Sequence, residues 1–231
     1  PALVNGSNVM AVEIHQANGT SSDISFDLRL RETPPLSRGP YLQKGSASSM
    51  TVRWRTAAAS DSVVLYGTDS QSLDQTAYSS TSTTEHEITI TGLTPNTQYF
   101  YSVGDSSQTL ASGADYFFVT HPVSGTASPT RIWVLGDSGT ANANAAAVRD
   151  AFLAANGGSH ADLVLMLGDN AYNNGTDSEY QAAVFDMYPT VLRNSVLWST
   201  LGNHDGASAN SATQSGPYYD IFSFPVSGES G

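Results

Sequence analysis

Cysteine is absent from this chain of 231 residues, which excludes disulfides, zinc ribbons, iron–sulfur clusters and thiol nucleophiles. Any metal site must therefore use histidine, carboxylate, amide or tyrosine side chains as ligands. Charged residues are also scarce at 13%, about half the usual share, and this excludes a long charged coiled coil. No apolar run approaches the ~18 residues that a membrane-spanning helix needs.

Basic residues are the rarer charge, with nine Lys and Arg against 21 Asp and Glu, for a formal net charge of −12. Such an acidic chain repels phosphate backbones and anionic lipids, so neither a nucleic acid nor a membrane is an expected partner. A low-charge surface rich in Ser, Thr, Gly and Asn is typical of bacterial extracellular multidomain proteins. The composition therefore favours a secreted or extracellular location.

Residues 1–33 contain two stretches, 8–15 and 23–30, in which apolar and polar residues alternate roughly, and they predict two antiparallel strands. Two strands are not stable alone in water. We therefore interpret 1–33 as the tail of a preceding β-sandwich, which resembles the last strands of galactose-binding-like domains. Thr33-Pro34-Pro35 then reads as a stiff linker.

Residues 36–120 show short alternating segments separated by turn residues, a pattern that predicts a β-sandwich. The stretch from Thr91 to Tyr101 resembles the corner before the penultimate strand of fibronectin type III domains. In that corner a leucine packs in the core and a tyrosine hydrogen-bonds back across the turn. The predicted strands lie at 50–55, 62–66, 86–91, 98–103 and 116–120.

The patterning changes after a polar, proline-containing linker at 121–129. Three continuous apolar runs begin at Arg131, Leu163 and Val196. They alternate with helical patterns over 141–155 and 177–192, the second bent or ended by Pro189. This β-α-β-α-β order predicts an α/β domain over 130–231, whose parallel strands are buried on both faces.

Each of the three apolar runs ends in a glycine followed by polar side chains: Gly136-Asp137, Gly168-Asp169 with Tyr172 close behind, and Gly202-Asn203-His204. Ligands bind at the carboxyl ends of the strands in open α/β sheets. We therefore expect these side chains to converge on one edge of the sheet. Such a hard-to-borderline ligand set suits Fe, Mn, Zn or Mg.

Each of these residues also has a purely structural reading. Asp137 is compatible with a helix N-cap, Asp169 with a turn, Tyr172 with a surface aromatic, and Asn203-His204 with a capping turn. The interpretation as a metal site depends on all of them occurring at three consecutive strand ends.

GDxG, GDxxY and GNHD in this order resemble the first three of the five metal-binding blocks of metallophosphoesterases, and the tyrosine of GDNAY resembles the purple acid phosphatase branch. The fibronectin-like part resembles the amino-terminal domain of the larger enzymes of that branch. The resemblance covers about residues 36–210. It implies a multidomain chain with an all-β fibronectin III-like sandwich over 36–120, followed over 130–231 by the first half of an α/β metallophosphoesterase domain.

The resemblance also implies a role for each residue. Asp137 and Tyr172 bind the first metal, Asp169 bridges both metals, and Asn203 binds the second metal. His204 is the catalytic residue that contacts the phosphate and protonates the leaving alkoxide. The implied cofactor is a dinuclear centre of Fe(III) with Fe(II), Zn or Mn. The implied reaction is hydrolysis of phosphomonoesters through a metal-bound hydroxide.

Three imidazole ligands that the family takes from two downstream blocks have no counterpart in this chain. Its other histidines lie in the β-units or the linker, or, for His160, on the expected surface at the far end of the sheet: His15, His86, His121 and His160. We therefore expect an incomplete centre here, whose partners are a phosphomonoester substrate and the missing carboxy-terminal half of the catalytic domain.

Two further functions stay open on the sequence. The chain is also compatible with a non-catalytic extracellular module that keeps the fold and binds glycans or protein partners. Within the enzyme class, a phosphodiesterase or nucleotidase of the same superfamily is a further alternative, because substrate choice depends on loops.

Overall fold

The computed structural model describes residues 36–226, so the strands predicted within 1–33 and the linker up to Pro35 lie outside the described residues. Among the described residues, no helix is long and apolar enough to cross a membrane. The strands are β1 (Leu36–Gln43), β2 (Ser49–Gly67), β3 (Gln75–Thr91), β4 (Gln98–Asp105), β5 (Gln108–Ala111), β6 (Phe117–Val119), β7 (Ile132–Leu135), β8 (Leu163–Met166) and β9 (Val196–Ser199). The α-helices are α1 (Ala143–Ala155), α2 (Asp177–Tyr180), α3 (Pro189–Leu192) and α4 (Pro217–Ile221).

The first six strands form the predicted all-β sandwich, which we call the strand domain (36–120). Its centre is β2, which pairs antiparallel with β1, β3 and β4. All regular elements described between 36 and 120 are strands. Side chains with almost no exposed surface fill the core, among them Leu42, Met50, Val52, Trp54, Ile90, Tyr101 and Phe118.

The strand domain departs from the expected strands in four places, one of which is that β3 begins at Gln75 and not at residue 86. The segments predicted at 50–55 and 62–66 are parts of β2, because the residues between them stay extended opposite β3 with two shifts of register. β1 was not predicted, and it contains Gly39 and Pro40, two residues that favour turns over strands. They lie where the pairing of β1 with β2 is irregular, so the missing N–H of Pro40 interrupts no regular ladder. The short β5 was also not predicted.

The corner before β4 has the features that the fibronectin resemblance implies. Leu93 is buried in the core of the strand domain. The hydroxyl of Tyr99 accepts a hydrogen bond from the amide of Thr94 at 3.1 Å, across the turn. The tyrosine thus satisfies a backbone donor that the turn leaves without a strand partner.

The second region has the predicted α/β architecture. β7, β8 and β9 are adjacent and parallel, so their carboxyl ends meet at one edge of the sheet. α1 begins after Asn142, whose side chain accepts hydrogen bonds from two amides of the first turn. The second predicted helix is divided into α2, a π-helical turn at Gln181–Phe185, and α3, which starts at Pro189.

Helices cover one face of the parallel sheet, and the other face is covered only in part by the residues that the structure describes. Trp133, Leu135 and Val164 face a core shared with the helices. Ile132 and Val134 alternate with them and remain 46% and 51% exposed, and Leu167 is 56% exposed. At the β9 end of this face Val196 is buried in the core of the strand domain, and Leu163 and Trp198 pack against that core. The expectation that these strands are buried on both faces is therefore wrong for β7, over which no described element packs on this face.

β1 joins the strand domain to the α/β region. It pairs with β2 on one side and, through Leu42 opposite Val196, with β9 on the other. One path of hydrogen-bonded strands therefore runs β5-β4-β2-β1-β9-β8-β7. The Tyr41 hydroxyl at the end of this junction donates to the carbonyl of Ile221 at 2.7 Å, and the Tyr41 side chain is 1% exposed.

We expect Tyr41→Phe to lower the free energy of unfolding by about 1–3 kcal/mol, because it leaves the buried Ile221 carbonyl without its donor. The measurement is urea unfolding followed by tryptophan fluorescence. Tyr78→Phe is the control, since Tyr78 is 56% exposed, and it should change stability by less than about 0.5 kcal/mol. Equal midpoints for the two variants would contradict the assigned role of this hydrogen bond.

Candidate metal centre

Three loops at the carboxyl edge of the parallel sheet form the candidate site, and backbone hydrogen bonds connect the first two. The loop after β7 contacts the loop after β8 through Asp137 N to Gly168 O at 3.2 Å and Gly139 N to Asp169 O at 3.1 Å. In return, Tyr172 N donates to Gly139 O at 2.9 Å. The Gly-Asp motifs of two different strands are thus held side by side by their own main chains.

Asp137 and Asp169 both have left-handed backbone conformations, each with φ of 52°. Non-glycine residues adopt this region rarely, aspartate being among those that tolerate it best. Such conformations cost on the order of 1–3 kcal/mol each and cluster at functional sites. Both side chains stand at the sharp turn that directly follows a strand and its glycine.

The loops approach each other so closely that two positions accept only glycine. A Cβ on Gly139 would overlap the backbone of Asn170 and Ala171, and one on Gly202 would overlap the amide nitrogen and Oδ1 of Asp169. The glycines of the first and third motifs are therefore required by the packing of the second motif.

Tyr172 brings the two aspartates together. Its hydroxyl lies 3.0 Å from Oδ1 of Asp137 and 3.3 Å from Oδ2 of Asp169. The two carboxylates are therefore no further apart than these two hydrogen bonds allow. Three oxygen-bearing side chains from two strand ends thus share one small volume at the surface of the sheet edge.

The ionisation of Tyr172 depends on its neighbours. Desolvation, the hydrogen bond to Asp137 and the negative charges of Asp137 and Asp169 raise the pKa of Tyr172 to about 12. The hydroxyl is therefore protonated at neutral pH in the apo protein. A phenolate at this position needs a strong cation to offset the two carboxylates.

His204 is fixed from two directions. Its backbone amide donates to Oδ1 of Asp169 at 3.0 Å. Its ring Nδ1 lies 2.6 Å from the carbonyl oxygen of Asn173. Because a carbonyl only accepts, Nδ1 carries the proton in this contact. The ring also lies edge to face on Tyr172, with centroids 4.5 Å apart.

The structure therefore brings four of the five predicted residues into direct contact: Asp137, Asp169, Tyr172 and His204. The fifth residue, Asn203, is exposed at the same edge, between Gly202 and His204. Its position in the loop places it at this edge, and its side chain is not among the contacts that join the other four residues.

A buried carboxylate that the sequence analysis did not assign lies directly beneath the site. Asp205 is 0% exposed. It accepts hydrogen bonds from Gly202 N at 2.8 Å, from Asn170 N at 3.2 Å, from Asn170 Nδ2 at 3.0 Å and from the Tyr180 hydroxyl. The sequence motifs contain both residues, because Asp205 is the last residue of GNHD and Asn170 follows Asp169. The motifs do not indicate that the Asp205 side chain is buried.

The donor set at this edge fits a hard metal ion. Two carboxylates, a phenol and an amide oxygen are oxygen ligands of the kind that hard cations prefer. The described residues hold no cluster of three or more His, Cys, Asp or Glu side chains that would bind an ion by themselves. The set is thus rich in oxygen and poor in nitrogen.

The other described histidines lie away from this edge. His86 is buried in the strand domain, between Thr56 and Ser62 and stacked on Trp54. His121 follows β6. His160 precedes β8 and packs against Phe117, so it is half-buried and not on the open surface as expected.

Two family models match adjacent parts of the chain. Residues 39–120 match the model described as the purple acid phosphatase N-terminal domain. Residues 130–229 match the model described as calcineurin-like phosphoesterase. The second match contains all three of the loops that form the candidate site.

Two relatives from Arabidopsis thaliana are similar to the chain. Purple acid phosphatase 15 is 34% identical over 110 residues, which are 45% of this chain and 20% of that protein. Purple acid phosphatase 13 is 40% identical over 88 residues, which are 38% of this chain and 15% of that protein. The matched part is thus a fifth or less of the length of these curated relatives.

Two solved structures share the fold. Purple acid phosphatase PPD1 from yellow lupin seeds superposes with a TM-score of 0.64 over 86% of this chain and 42% of that one, at 18% identity. The structure of PhoD superposes with a TM-score of 0.62 over 87% of this chain and 48% of that one, at 14% identity. In both, one structure contains the strand domain and the α/β region together.

Gly202→Ala should destabilise the fold by about 1–3 kcal/mol, because the added methyl group displaces the backbone and carboxylate of Asp169. The matched control is Gly206→Ala four residues later, where a Cβ meets nothing within 4 Å. Urea midpoints of the two variants provide the comparison. If both variants unfold at the midpoint of the unmodified chain, Gly202 does not approach Asp169 as closely as the added Cβ requires.

Asp205→Asn should lower the free energy of unfolding by roughly 1.5–3 kcal/mol, because an N–H₂ group replaces one of the two carboxylate oxygens, each of which accepts hydrogen bonds from a backbone amide and from a side chain. Amide hydrogen exchange at Asn170 and Gly202 should accelerate at the same time. Asp220→Asn, the same change at an exposed position, is the control. Unchanged protection of both amides would show that Asp205 does not connect these loops.

Proposed function

We propose that this chain, which matches the purple acid phosphatase N-terminal domain over 39–120 and calcineurin-like phosphoesterase over 130–229, contributes to a dinuclear metal centre that hydrolyses phosphomonoesters. The observation that carries the proposal is the Tyr172 hydroxyl between the carboxylates of Asp137 and Asp169, at the carboxyl edge of a parallel sheet.

In this proposal Asp137, Asp169 and Tyr172 hold the first metal, and Asp169 with Asn203 holds the second. Two metal ions close together supply Lewis acidity and a nucleophile at neutral pH when they are bound. The contacts of Asp169 support its place between the two positions. Its Oδ2 faces Tyr172, and its Oδ1 faces the loop that carries Asn203 and His204.

The raised pKa of Tyr172 supports a strongly acidic ion at the first position. The two carboxylates disfavour a negative charge on Tyr172. A phenolate therefore forms only when the attraction of a bound cation exceeds this repulsion. Fe(III) meets this requirement, and we assign Fe(II), Zn or Mn to the second position. His86 lies on β3, His121 follows β6 and His160 precedes β8, at the opposite end of that strand from the site, so in this proposal the three imidazoles of the family come from another segment.

His204 supplies the acid–base chemistry in this proposal. Its Nδ1–H is committed to the carbonyl of Asn173, so Nε2 is the ring atom that meets the substrate. In the protonated ring, Nε2 donates to a phosphate oxygen and passes its proton to the leaving alkoxide. Asp169 orients the residue through its backbone amide.

Three further assignments belong to the proposal. The corner formed by Leu93 and Tyr99 supports a strand domain of the fibronectin type III kind. The low-charge, polar composition supports an extracellular location. The exposed apolar face of Ile132 and Val134 supports a partner segment that completes the catalytic domain.

We expect the chain of 231 residues, loaded with iron and zinc, to hydrolyse an aryl phosphate at no more than the background rate. The reason is that the three imidazoles are not among its residues, which leaves the second position with two oxygen ligands. A natural protein that includes this chain and those imidazoles should turn over the substrate. In it, Asp169→Ala should abolish activity, while Tyr172→Phe should remove the visible charge-transfer band and leave some turnover.

The measurement is phosphate release by both proteins side by side, with Asp74→Ala in the exposed part of the strand domain as the control. Robust metal-dependent turnover by the chain alone would overturn the requirement for further ligands. An inactive protein that contains all three imidazoles would instead favour the non-catalytic binding module. Turnover of diesters or nucleotides in preference to monoesters would instead favour a phosphodiesterase or nucleotidase of the same superfamily.

A further inference from the structure

The loop that follows Tyr172 is held by a side chain to which no role has yet been assigned. Oε1 of Glu179 accepts a hydrogen bond from Asn173 N at 2.6 Å. Oε2 accepts from Asn174 N at 3.2 Å, from Thr176 N at 2.8 Å and from the Thr176 hydroxyl at 2.9 Å. One carboxylate thus satisfies four donors of a four-residue loop.

This arrangement exceeds what the start of a helix requires. Thr176 is the N-cap of α2 and forms a capping box with Glu179. A capping box needs two hydrogen bonds, from Thr176 N to the Glu179 carboxylate and from Glu179 N to the Thr176 hydroxyl. The additional bonds to Asn173 and Asn174 hold the peptide units directly after Tyr172, where α2 gains nothing from them.

The peptide unit between Asn173 and Asn174 is the one that contacts His204. Its N–H, that of Asn174, donates to Oε2 of Glu179 at 3.2 Å, and its carbonyl, that of Asn173, accepts Nδ1–H of His204 at 2.6 Å. The preceding peptide unit is held as well, because Asn173 N donates to Oε1 of Glu179 at 2.6 Å. A carboxylate–amide–carbonyl–imidazole chain therefore runs from α2 to the ring. The orientation of this carbonyl decides which ring nitrogen of His204 carries the proton in the neutral form.

α2 is itself anchored at both ends. Asp177 at its start accepts a hydrogen bond from Arg38 at 2.9 Å and two from Arg55 at 2.6 Å, and both arginines belong to the strand domain. Tyr180 at its end donates to the buried Asp205. Glu179 therefore lies between two fixed points and cannot follow a displacement of the loop.

The ionisation of Glu179 suits a side chain that accepts four hydrogen bonds. Desolvation acts to raise its pKa, but the hydrogen bonds from Thr176, Asn173 and Asn174 outweigh it and hold the pKa of Glu179 below the ordinary value. The group is therefore an ionised acceptor at neutral and mildly acidic pH. It retains acceptor sites on both oxygens for its four donors under the conditions in which His204 is to act.

We propose that Glu179 is a positioning residue for His204, because it fixes the peptide unit between Asn173 and Asn174, whose carbonyl selects the Nδ1–H form of the ring. The proposal rests on the proposed function only for the task that His204 performs. The hydrogen-bond chain itself belongs to the apo protein. Arg38 and Arg55 of the strand domain supply the anchor, so the domain in front of the α/β region supports the candidate site.

The test uses Glu179→Gln. Glutamine also forms capping boxes, so α2 should persist. The amide has one acceptor oxygen and presents an N–H₂ group to donors, so it cannot satisfy the Asn173 and Thr176 sides together. Glu87→Gln is the matched control, since Glu87 lies on β3 and its ion-pair partner Arg53 is 3.7 Å away. Glu179→Asp, which keeps the charge on a shorter side chain, is the second variant.

The readout is the ¹⁵N spectrum of the histidine side chains in the metal-free chain of 231 residues, at a pH where the rings are neutral. The unmodified chain and Glu87→Gln should show His204 in the Nδ1–H tautomer. Both Glu179 variants should show a mixture with the Nε2–H tautomer. Exchange of the Asn173 and Asn174 amides should become about tenfold faster or more in both variants.

Two outcomes would overturn the proposal. One is the Nε2–H tautomer of His204 in the unmodified chain, a result that needs no variant to fold. The other is an unchanged tautomer and unchanged amide exchange in both Glu179 variants. Neither readout requires phosphatase activity, so failure of this inference is distinguishable from an inactive metal-loaded protein, which would count against the proposed function alone.

Discussion

The candidate site depends on one buried negative charge. Asp205 has no exposed surface, and such a carboxylate is tolerated only when donors surround it. The donors come from both loops that meet above it, the amide of Asn170 after β8 and the amide of Gly202 after β9. Asp169 directly precedes Asn170, and His204 directly precedes Asp205. The distance between Asp169 and His204 therefore follows from the position of Asp205.

The strand domain supports the same arrangement from the other side. β1 belongs to the ladder of the sandwich and to the parallel sheet, and the arginines of β1 and β2 hold the helix that follows the second loop. The guanidinium of Arg38 is buried and lies 4.2 Å from the ring centre of Phe185, beneath α2. The two regions therefore act mechanically as one body around β1, although their sequence patterns differ.

Much of this structure could be predicted from local pattern. The three apolar runs with a Gly-Asp or Gly-Asn at their ends located β7, β8 and β9 and the convergence of Asp137, Asp169 and Tyr172, because parallel strands end at one edge. β1 could not be predicted, since Gly39 and Pro40 oppose a strand locally and only pairing with distant partners stabilises it. The role of Asp205 was also hidden, because burial of a carboxylate is decided by tertiary contacts. The apolar run around Ile132 by itself predicts burial, and its exposed face agrees with the expectation that this chain holds only the first half of the α/β domain.

The double pairing of β1 has a consequence for biosynthesis. β1 leaves the ribosome about 150 residues before Val196 of β9, the partner of Leu42, which at ~5–20 residues per second is a delay on the order of ten seconds. During that time its outer edge offers unpaired backbone donors and acceptors, as any strand at a sheet edge does. The nascent chain thus carries an open template for intermolecular pairing until the third α/β strand has been made. A chaperone that shields the edge of β1 would act in this interval and would no longer be needed once β9 has docked.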